Sequence, residues 1–243
     1  MSTDAKSGLK AAGLWTVVEF AIRAGLVAVA ASGLALAGHL PRESALSGMF
    51  VGMALAVPLA LAAVVLGAIF WRRATREGLE LRDLGYLFSR PHAFAGVASG
   101  LFLLPLVIFG TDRIDTALFP DAAKRFESLT RLIASGGQAV TASLLLANGI
   151  LGPIVEEFAW RGYIQYKFNR ALGTWVGLAA TALPFAAKHI VVDLSFGRTT
   201  SLLLGAFALG LIRQRWGTAA STTAHITVNF VATFDAFVTP LWS

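Results

Sequence analysis

The chain contains no cysteine, and only 14% of its 243 residues are charged. The lack of cysteine excludes disulfides, thiolate nucleophiles and cysteine-bound zinc. The lack of charge separates the chain from soluble domains, which carry roughly 25% charged residues. Hydrophobic residues make up 56% of the chain, and no long polar stretch divides it into two units. The composition therefore predicts one integral membrane domain over residues 1–243.

Apolar runs of the length that membrane helices need, about 17–25 residues, recur along the chain. They predict an all-α, polytopic helical bundle with about seven transmembrane helices, within a range of six to eight. The predicted spans lie near residues 14–38, 46–71, 93–110, 138–160, 174–190, 199–214 and 218–240. The first span carries Glu19 and Arg23 four residues apart, a spacing that lets the two side chains pair on one helix face. The 111–136 connector mixes charged and apolar residues, which favours an amphipathic helix along the membrane interface.

The net charge of +6 would suit a nucleic-acid partner, but lysine and arginine are concentrated in short connectors between apolar runs. That placement is typical of topology control at an anionic membrane, so we expect the lipid bilayer as partner and no nucleic acid. Alternate connectors place eleven lysines and arginines on the N-terminal side and six on the other. This bias predicts a cytoplasmic N-terminus, and the alanine-rich composition suggests a bacterial inner-membrane protein.

Two adjacent carboxylates and an arginine interrupt the fourth apolar run. On a helix, Glu157 and Arg161 share a face, as an ion pair would, whereas Glu156 is rotated by about 100° toward other partners. We therefore expect Glu157 and Arg161 to form a structural pair and Glu156 to be the working carboxylate. Pro153 removes a backbone hydrogen bond just before them, which predicts a kink. The alternative is that all three charges lie at the membrane–water boundary.

A histidine closes the next apolar run. His189 lies four residues after Phe185, on the same helix face. If the chain turns near Gly173, an antiparallel hairpin places Glu156 and His189 at the same depth. The alternative is that His189 is an ordinary interfacial residue.

The last span presents His225 and Asn229 on one face, four residues apart. Asparagine can donate a hydrogen bond to a developing oxyanion, and histidine can donate one or transfer a proton. The alternative is a polar contact between helices that also uses the neighbouring hydroxyl residues, namely Ser221, Thr222, Thr223 and Thr227. His39 and His92 fall in connectors, and we expect both to be surface residues.

Together these positions read Glu-Glu-x-x-x-Arg, then Phe-x-x-x-His, then His-x-x-x-Asn. Their order and spacing, with the Trp160-Arg161-Gly162 run, resemble the CPBP family of intramembrane proteases. That family includes the type II CAAX prenyl endopeptidases and bacteriocin-processing or immunity-associated proteins. The resemblance covers roughly residues 140–240, which we take as the catalytic core. Lys188, beside His189, departs from the apolar residue expected there; its charge would keep His189 neutral by repulsion or indicate altered chemistry.

The resemblance implies an endopeptidase that acts inside the bilayer on a membrane-associated or lipidated protein or peptide. In that scheme Glu156 and His189 activate a water, and His225 and Asn229 stabilise the oxyanion. Glu157, Arg161 and Phe185 would support the site, and no cofactor is needed.

Three alternatives stay open at the level of sequence. Glu156, His189 and His225 could instead bind catalytic Zn²⁺, since a carboxylate and two histidines suit that metal. The protein could be a non-catalytic immunity or scaffold protein on the same fold. It could also be a transporter that uses buried carboxylates as a proton relay.

Overall fold

A computed structural model describes residues 3–37, 45–87, 89–193 and 195–237. These residues are almost entirely helical and contain no strand, which confirms the all-α fold class. The α-helices are α1 (Thr3–Ala37), α2 (Ala45–Arg76), α3 (Arg90–Pro105), α4 (Asp112–Leu118), α5 (Pro120–Ala134), α6 (Gln138–Leu144), α7 (Gly152–Glu156), α8 (Gln165–Leu172), α9 (Thr174–Asp193) and α10 (Thr199–Phe237). His39, expected in a connector, lies outside the described residues.

Four helical segments of the described chain are long and apolar enough to cross a membrane. They are Lys6–Ser32, Ala45–Arg76, Gln138–Leu172 and Thr174–Asp193. The remaining predicted spans fall on α3 and on the two halves of α10, so the count of seven stays a prediction. Large apolar side chains also face outward: Phe94, Phe102 and Trp175 are 76, 69 and 72% exposed. Apolar surface of this extent suits contact with lipid.

The long helix from α6 to α8 is interrupted twice by π-helical turns, at Leu145–Leu151 and Glu157–Ile164. Such turns hydrogen-bond to the fifth residue instead of the fourth, and they are frequent at functional sites. They flank the short α7, where Pro153 removes one backbone donor. The irregularity that the proline predicts is therefore present, as a change of helical pitch on both sides of it.

The expected turn between the fourth and fifth predicted spans is also present. Helix α8 ends at Gly173, whose φ of 81° reverses the chain into α9. A positive φ is readily adopted by glycine because it has no Cβ. The resulting α8–α9 hairpin places the helix that carries Glu156 beside the helix that carries His189.

Helix α10 is broken at Gly217, whose φ is 80°. A Cβ at this position would lie 2.6 Å from the carbonyl oxygen of Gly85, so only glycine fits. Beyond the break, Thr218 donates from its backbone nitrogen to Gly85 at 2.7 Å and from its hydroxyl to Leu84 at 2.5 Å. The loop after α2 thus fixes where the second half of α10 starts, and with it the position of His225.

Helix α1 packs against α2, α8 and α9. Its Trp15 ring lies 5.4 Å from the ring of Phe70 and 6.4 Å from that of Tyr163. Residues four and eight positions after Trp15 lie on the same helix face, and they are Glu19 and Arg23. The aromatic contact therefore turns these two charged side chains into the bundle.

The 111–136 connector is helical, as expected, but it forms two helices, α4 and α5, and its position along the membrane interface stays a prediction. Leu129, Leu132 and Ile133 of α5 pack against a small core that includes Val51 and Val140. In α4, the buried Asp115 accepts hydrogen bonds from the backbone nitrogens of the first residues of α10, Thr200 and Ser201. This carboxylate caps the N-terminus of α10 from another helix.

Candidate active site

Glu156 lies in a buried cluster of four charged side chains. Its Oε1 is 2.7 Å from a terminal nitrogen of Arg23 and 3.0 Å from Nζ of Lys188. Glu19 completes the cluster, because its Oε1 is 3.0 Å from Nε of Arg23 and 3.3 Å from Nζ of Lys188. Two carboxylates and two cations balance one another, which is what charges need when they leave water.

Glu157 faces a different set of partners. Its Oε1 lies 3.3 Å from Arg161 and 3.0 Å from Nδ1 of His225. Arg161 is fully buried and also donates to the carbonyl of Ala206 at 3.1 Å. The ion pairs that the four-residue spacings predict, Glu19 with Arg23 and Glu157 with Arg161, are both present.

Phe185 is the point at which the three motifs meet. The rings of His189 and His225 lie 5.1 and 6.2 Å from it, both edge-on. The guanidinium carbon of Arg161 is 3.9 Å from the centre of the Phe185 ring, and Nζ of Lys188 is 4.3 Å away. Cations over an aromatic face are attracted by its quadrupole. The three segments therefore share one buried aromatic side chain.

The hydrogen bond of His189 fixes which ring nitrogen carries its proton. Nδ1 lies 3.0 Å from the backbone carbonyl of Phe185. A carbonyl only accepts, so Nδ1 donates, and in the neutral ring Nε2 keeps its lone pair. His189 directly follows Lys188, whose Nζ lies 3.0 Å from Oε1 of Glu156. This tautomer can accept a proton at Nε2.

His225 is oriented in the same manner but by a carboxylate. Its Nδ1 donates to Glu157, which leaves Nε2 as the free nitrogen. When both ring nitrogens carry protons, Nε2 is a donor as well. His225 can therefore act either as a proton acceptor or as a charged donor.

Asn229 lies one helical turn beyond His225 and is half-buried. Its Nδ2 donates to the backbone carbonyl of Asn148 at 3.2 Å. Asn148, in the first π-turn, donates in turn to the hydroxyl of Thr233 at 2.9 Å. These bonds hold the Asn229 amide against the helix that carries Glu156, and one of its two N–H groups is used.

Two adjoining apolar grooves lie beside the site. One, of about 440 Å³, includes Trp71 and Phe158 in its lining, and the other, of about 640 Å³, reaches Thr222 and Ile226. Tyr86 lines both and lies 3.5 Å from the hydroxyl of Thr222, and burial raises the pKa of its phenol. The second groove thus reaches α10 within one turn of His225.

Lys188, Glu19 and Arg23 are recognisable in the sequence, but their position around Glu156 was not predicted. Lys188 is not a lone charge beside His189, since it contacts two carboxylates and is 1% exposed. The available signal was that charged residues within apolar spans are costly unless paired. Six such residues lie within or at the end of predicted spans and could pair with one another, namely Glu19, Glu156 and Glu157 with Arg23, Arg161 and Lys188.

Among the residues that the structure describes, no three histidine, aspartate or glutamate side chains form a group that could hold a metal ion. Nδ1 of His189 faces the carbonyl of Phe185, and Nδ1 of His225 faces the carboxylate of Glu157. The Zn²⁺ alternative therefore stays a prediction that depends on metal analysis.

A comparison with protein families matches residues 138–231 to the Rce1-like family, described as type II CAAX prenyl endopeptidase Rce1-like. The match covers fewer than half of the 243 residues but contains all three motifs. No curated protein and no solved structure matches the chain. The family match and the apolar helices together support a membrane endopeptidase of the CAAX-protease type. We conclude that this chain is an integral membrane protein whose segment 138–231 is similar to the Rce1-like type II CAAX prenyl endopeptidases.

Proposed function

We propose that the protein is an intramembrane endopeptidase that hydrolyses a peptide bond of a membrane-associated or lipidated protein or peptide. The observation that carries the proposal is the convergence of three motifs, from three helices, on the ring of Phe185. Two histidine rings, each with one nitrogen fixed by a buried partner, leave their other nitrogens available for chemistry. The family match supports the same class of reaction.

In the proposed reaction, Glu156 takes a proton from a water molecule as the water oxygen attacks the substrate carbonyl carbon. His189 orients that water by accepting its other hydrogen at Nε2. The carbonyl oxygen becomes an oxyanion, which His225 and Asn229 stabilise by donating hydrogen bonds. The tetrahedral intermediate then collapses, the C–N bond breaks and the leaving amine takes up the proton. This sequence of steps needs one carboxylate base and two donors.

Glu157 and Arg161 support His225 in this scheme. The carboxylate of Glu157 holds the imidazole at Nδ1, and Arg161 balances the charge of Glu157. When His225 carries protons on both ring nitrogens, its positive charge is balanced by Glu157 and its Nε2 is a donor. We place the substrate in the groove that reaches Thr222, because this groove leads to the same turn of α10.

The deciding experiment compares membranes that contain the wild type with membranes that contain Glu156→Gln. New protein termini are mapped by mass spectrometry. We expect mature termini that appear with the wild type only, and these identify the substrate. Glu80→Gln is the matched control, since this glutamate is exposed and its carboxylate contacts the exposed Arg82. Termini that appear equally with Glu156→Gln would contradict the proposal.

We further propose that the N-terminus faces the cytoplasm of a bacterial inner membrane, as the lysine and arginine bias predicts. Because the chain has no cysteine, single cysteines can report topology directly. An impermeant maleimide applied to intact cells should label Arg113→Cys, and it should label Arg72→Cys only after lysis. The opposite labelling would reverse the orientation.

We predict that chelators leave the cleavage activity unchanged, since the proposed water is activated by Glu156 and His189 alone. Purified protein is treated with a strong chelator and assayed on the mapped substrate before and after added zinc. Inactivation that zinc reverses would favour the Zn²⁺ alternative with Glu156, His189 and His225 as ligands.

A scaffold or immunity protein on the same fold is the second candidate, because both cations of the Glu156 cluster contact the carboxylate that would act as base. The two candidates differ in their response to Glu156→Gln. A scaffold keeps its binding partner and yields no new termini with either form, whereas a protease loses termini in the variant.

A further inference from the structure

The cluster around Glu156 has an ordered arrangement as well as balanced charge. Arg23 and Lys188 both contact the same oxygen of Glu156, Oε1. The same two cations converge on Oε1 of Glu19. Each cation thus bridges two carboxylates, and each carboxylate uses one oxygen for both bridges. We call these four residues the charge quartet.

We propose that Arg23 and Lys188 are positioning residues, which hold Glu156 by Oε1 so that Oε2 is the oxygen that takes the proton from water. The proposal deepens the proposed function and rests on it. It also makes α1 part of the functional site, although Arg23 lies outside the matched segment 138–231.

Geometry supports positioning because the carboxylate is held from two directions. Arg23 approaches from α1 and Lys188 from α9, while Glu156 lies at the end of α7. Two contacts on one oxygen restrict rotation of the carboxylate about its last bond. A base whose second oxygen has a fixed direction loses little entropy in reaching the transition state.

Charge explains why Glu19 belongs to the quartet. Two cations around one carboxylate would leave an excess positive charge in a buried site, which is costly. Glu19 cancels that excess and is itself fully buried. Its direct bond to Arg23 also aims the guanidinium, since Nε contacts Glu19 while a terminal nitrogen contacts Glu156.

The first test measures the contact without any substrate. Dicyclohexylcarbodiimide is lipid-soluble and reacts with protonated carboxyl groups. In wild-type protein the two cations keep Glu156 ionised, so its reaction should be slow. We expect Arg23→Gln and Lys188→Gln each to accelerate loss of the unmodified Glu156 peptide by about tenfold or more. Fragment-ion sequencing assigns the modification to Glu156, and Arg72→Gln, an exposed arginine, is the control.

The second test separates positioning from stability. Glu19→Gln with Arg23→Gln removes one charge of each sign, so the remaining Glu156 and Lys188 still balance. We expect the double variant to recover the thermal stability that Arg23→Gln loses. Its yield of new termini should stay up to about 10²-fold below wild type, because a catalytic group displaced by about 1 Å can cost that much in rate. Arg23→Lys, which keeps the charge, should recover part of that yield.

Three results would overturn the proposal. Equal labelling of Glu156 in the wild type and both single variants would show that the cations do not hold this carboxylate. Full recovery of termini in the Glu19→Gln and Arg23→Gln double variant would reduce Arg23 to a structural residue. A rise in termini with Arg23→Gln would mean that the cations suppress the base.

The labelling also separates this proposal from the proposed function. A wild type that labels slowly and yields no new termini would leave the charge quartet in place as a structural feature. It would overturn both the peptidase activity and the positioning role that depends on it.

Discussion

Glu156 and Glu157 are neighbours in sequence, yet they belong to two separate clusters. Glu156 is bound by Arg23 and Lys188 from α1 and α9, whereas Glu157 is bound by Arg161 on its own helix and by His225. Adjacent helix positions point about 100° apart, so the two carboxylates share no cation among these contacts. Glu157 is therefore held entirely within the matched segment 138–231, whereas Glu156 also depends on Arg23 of α1, which lies outside that segment.

The largest effect is expected from the carboxylate of the first cluster. Glu156→Gln keeps an acceptor for Arg23 and Lys188 but removes the base, so cleavage should fall by about 10²–10⁴-fold. The rate is measured on the mapped substrate with purified protein. Glu80→Gln is the control, and cleavage near the wild-type rate would transfer the role of base to the Glu157–His225 pair.

In the second cluster, the largest effect is expected on stability. Arg161→Ala leaves Glu157 without its buried cation and removes the guanidinium from the Phe185 ring, at a cost of about 3–5 kcal/mol. Protein yield and thermal unfolding in detergent measure the loss, with exposed Arg72→Ala as the control. A stable Arg161→Ala protein with only a kinetic defect would mean that the second cluster is catalytic and not supporting.

The Asn229→Ala variant tests whether Asn229, on the same helix as His225, stabilises the oxyanion. Asn229→Ala should lower the cleavage rate by about 10²–10³-fold, the usual value of one oxyanion donor, while co-purification of substrate changes little. Asn169→Ala is the matched control, because Asn169 lies in α8 and belongs to neither cluster. Equal rates for the wild type and Asn229→Ala would favour a contact between helices, worth about 1 kcal/mol.

A third carboxylate, at the end of α2, is expected to show the smallest effect. Glu77 contacts Arg73 at 2.6 Å, Lys167 at 2.5 Å and the hydroxyl of Tyr163 at 2.7 Å. Burial alone would raise the pKa of Glu77, but the hydrogen bonds from Lys167 and Tyr163 and the two positive charges outweigh it and lower that pKa. A lowered pKa in the folded state stabilises the fold above the unfolded value, about 4.3.

Glu77→Gln should therefore cost about 1 kcal/mol near pH 7. The difference from the wild type should disappear as the pH falls below about 4.3 and through the folded-state pKa. Thermal unfolding in detergent over a pH series measures both. A difference that persists in acid would mean that packing, and not charge, accounts for the effect.

Much of the fold and part of the site could be predicted from local sequence. Apolar runs predicted the helices, and Gly173 and Gly217 lie in the connectors between predicted spans. Four-residue spacing gave two ion pairs, Glu19 with Arg23 and Glu157 with Arg161, because such residues lie on one helix face. The order of the motifs gave the family resemblance that residues 138–231 bear out.

Contacts between distant helices could not be predicted in this way. Arg23 and Glu156 are 133 residues apart, and Glu157 and His225 are 68 apart. No helical period connects such positions. The buried ring of Phe185, which both histidines contact, looks in the sequence like any other apolar residue of a span.

The amino-acid sequence alone was sufficient to predict a bundle of apolar helices whose buried charges include Glu19, Glu156 and Glu157 and need partners of opposite sign. The spacing of residues along a helix and the cost of burying an unpaired charge are sufficient for that conclusion, because both can be judged from the residues around each position. Which cation contacts which carboxylate depends on how the helices pack. The contact of Trp15 turns the charged face of α1 into the bundle. The turns at Gly173 and Gly217 fix where α9 and the second half of α10 begin. Partner choice depends on these packing angles, because an ion pair needs its atoms within about 4 Å.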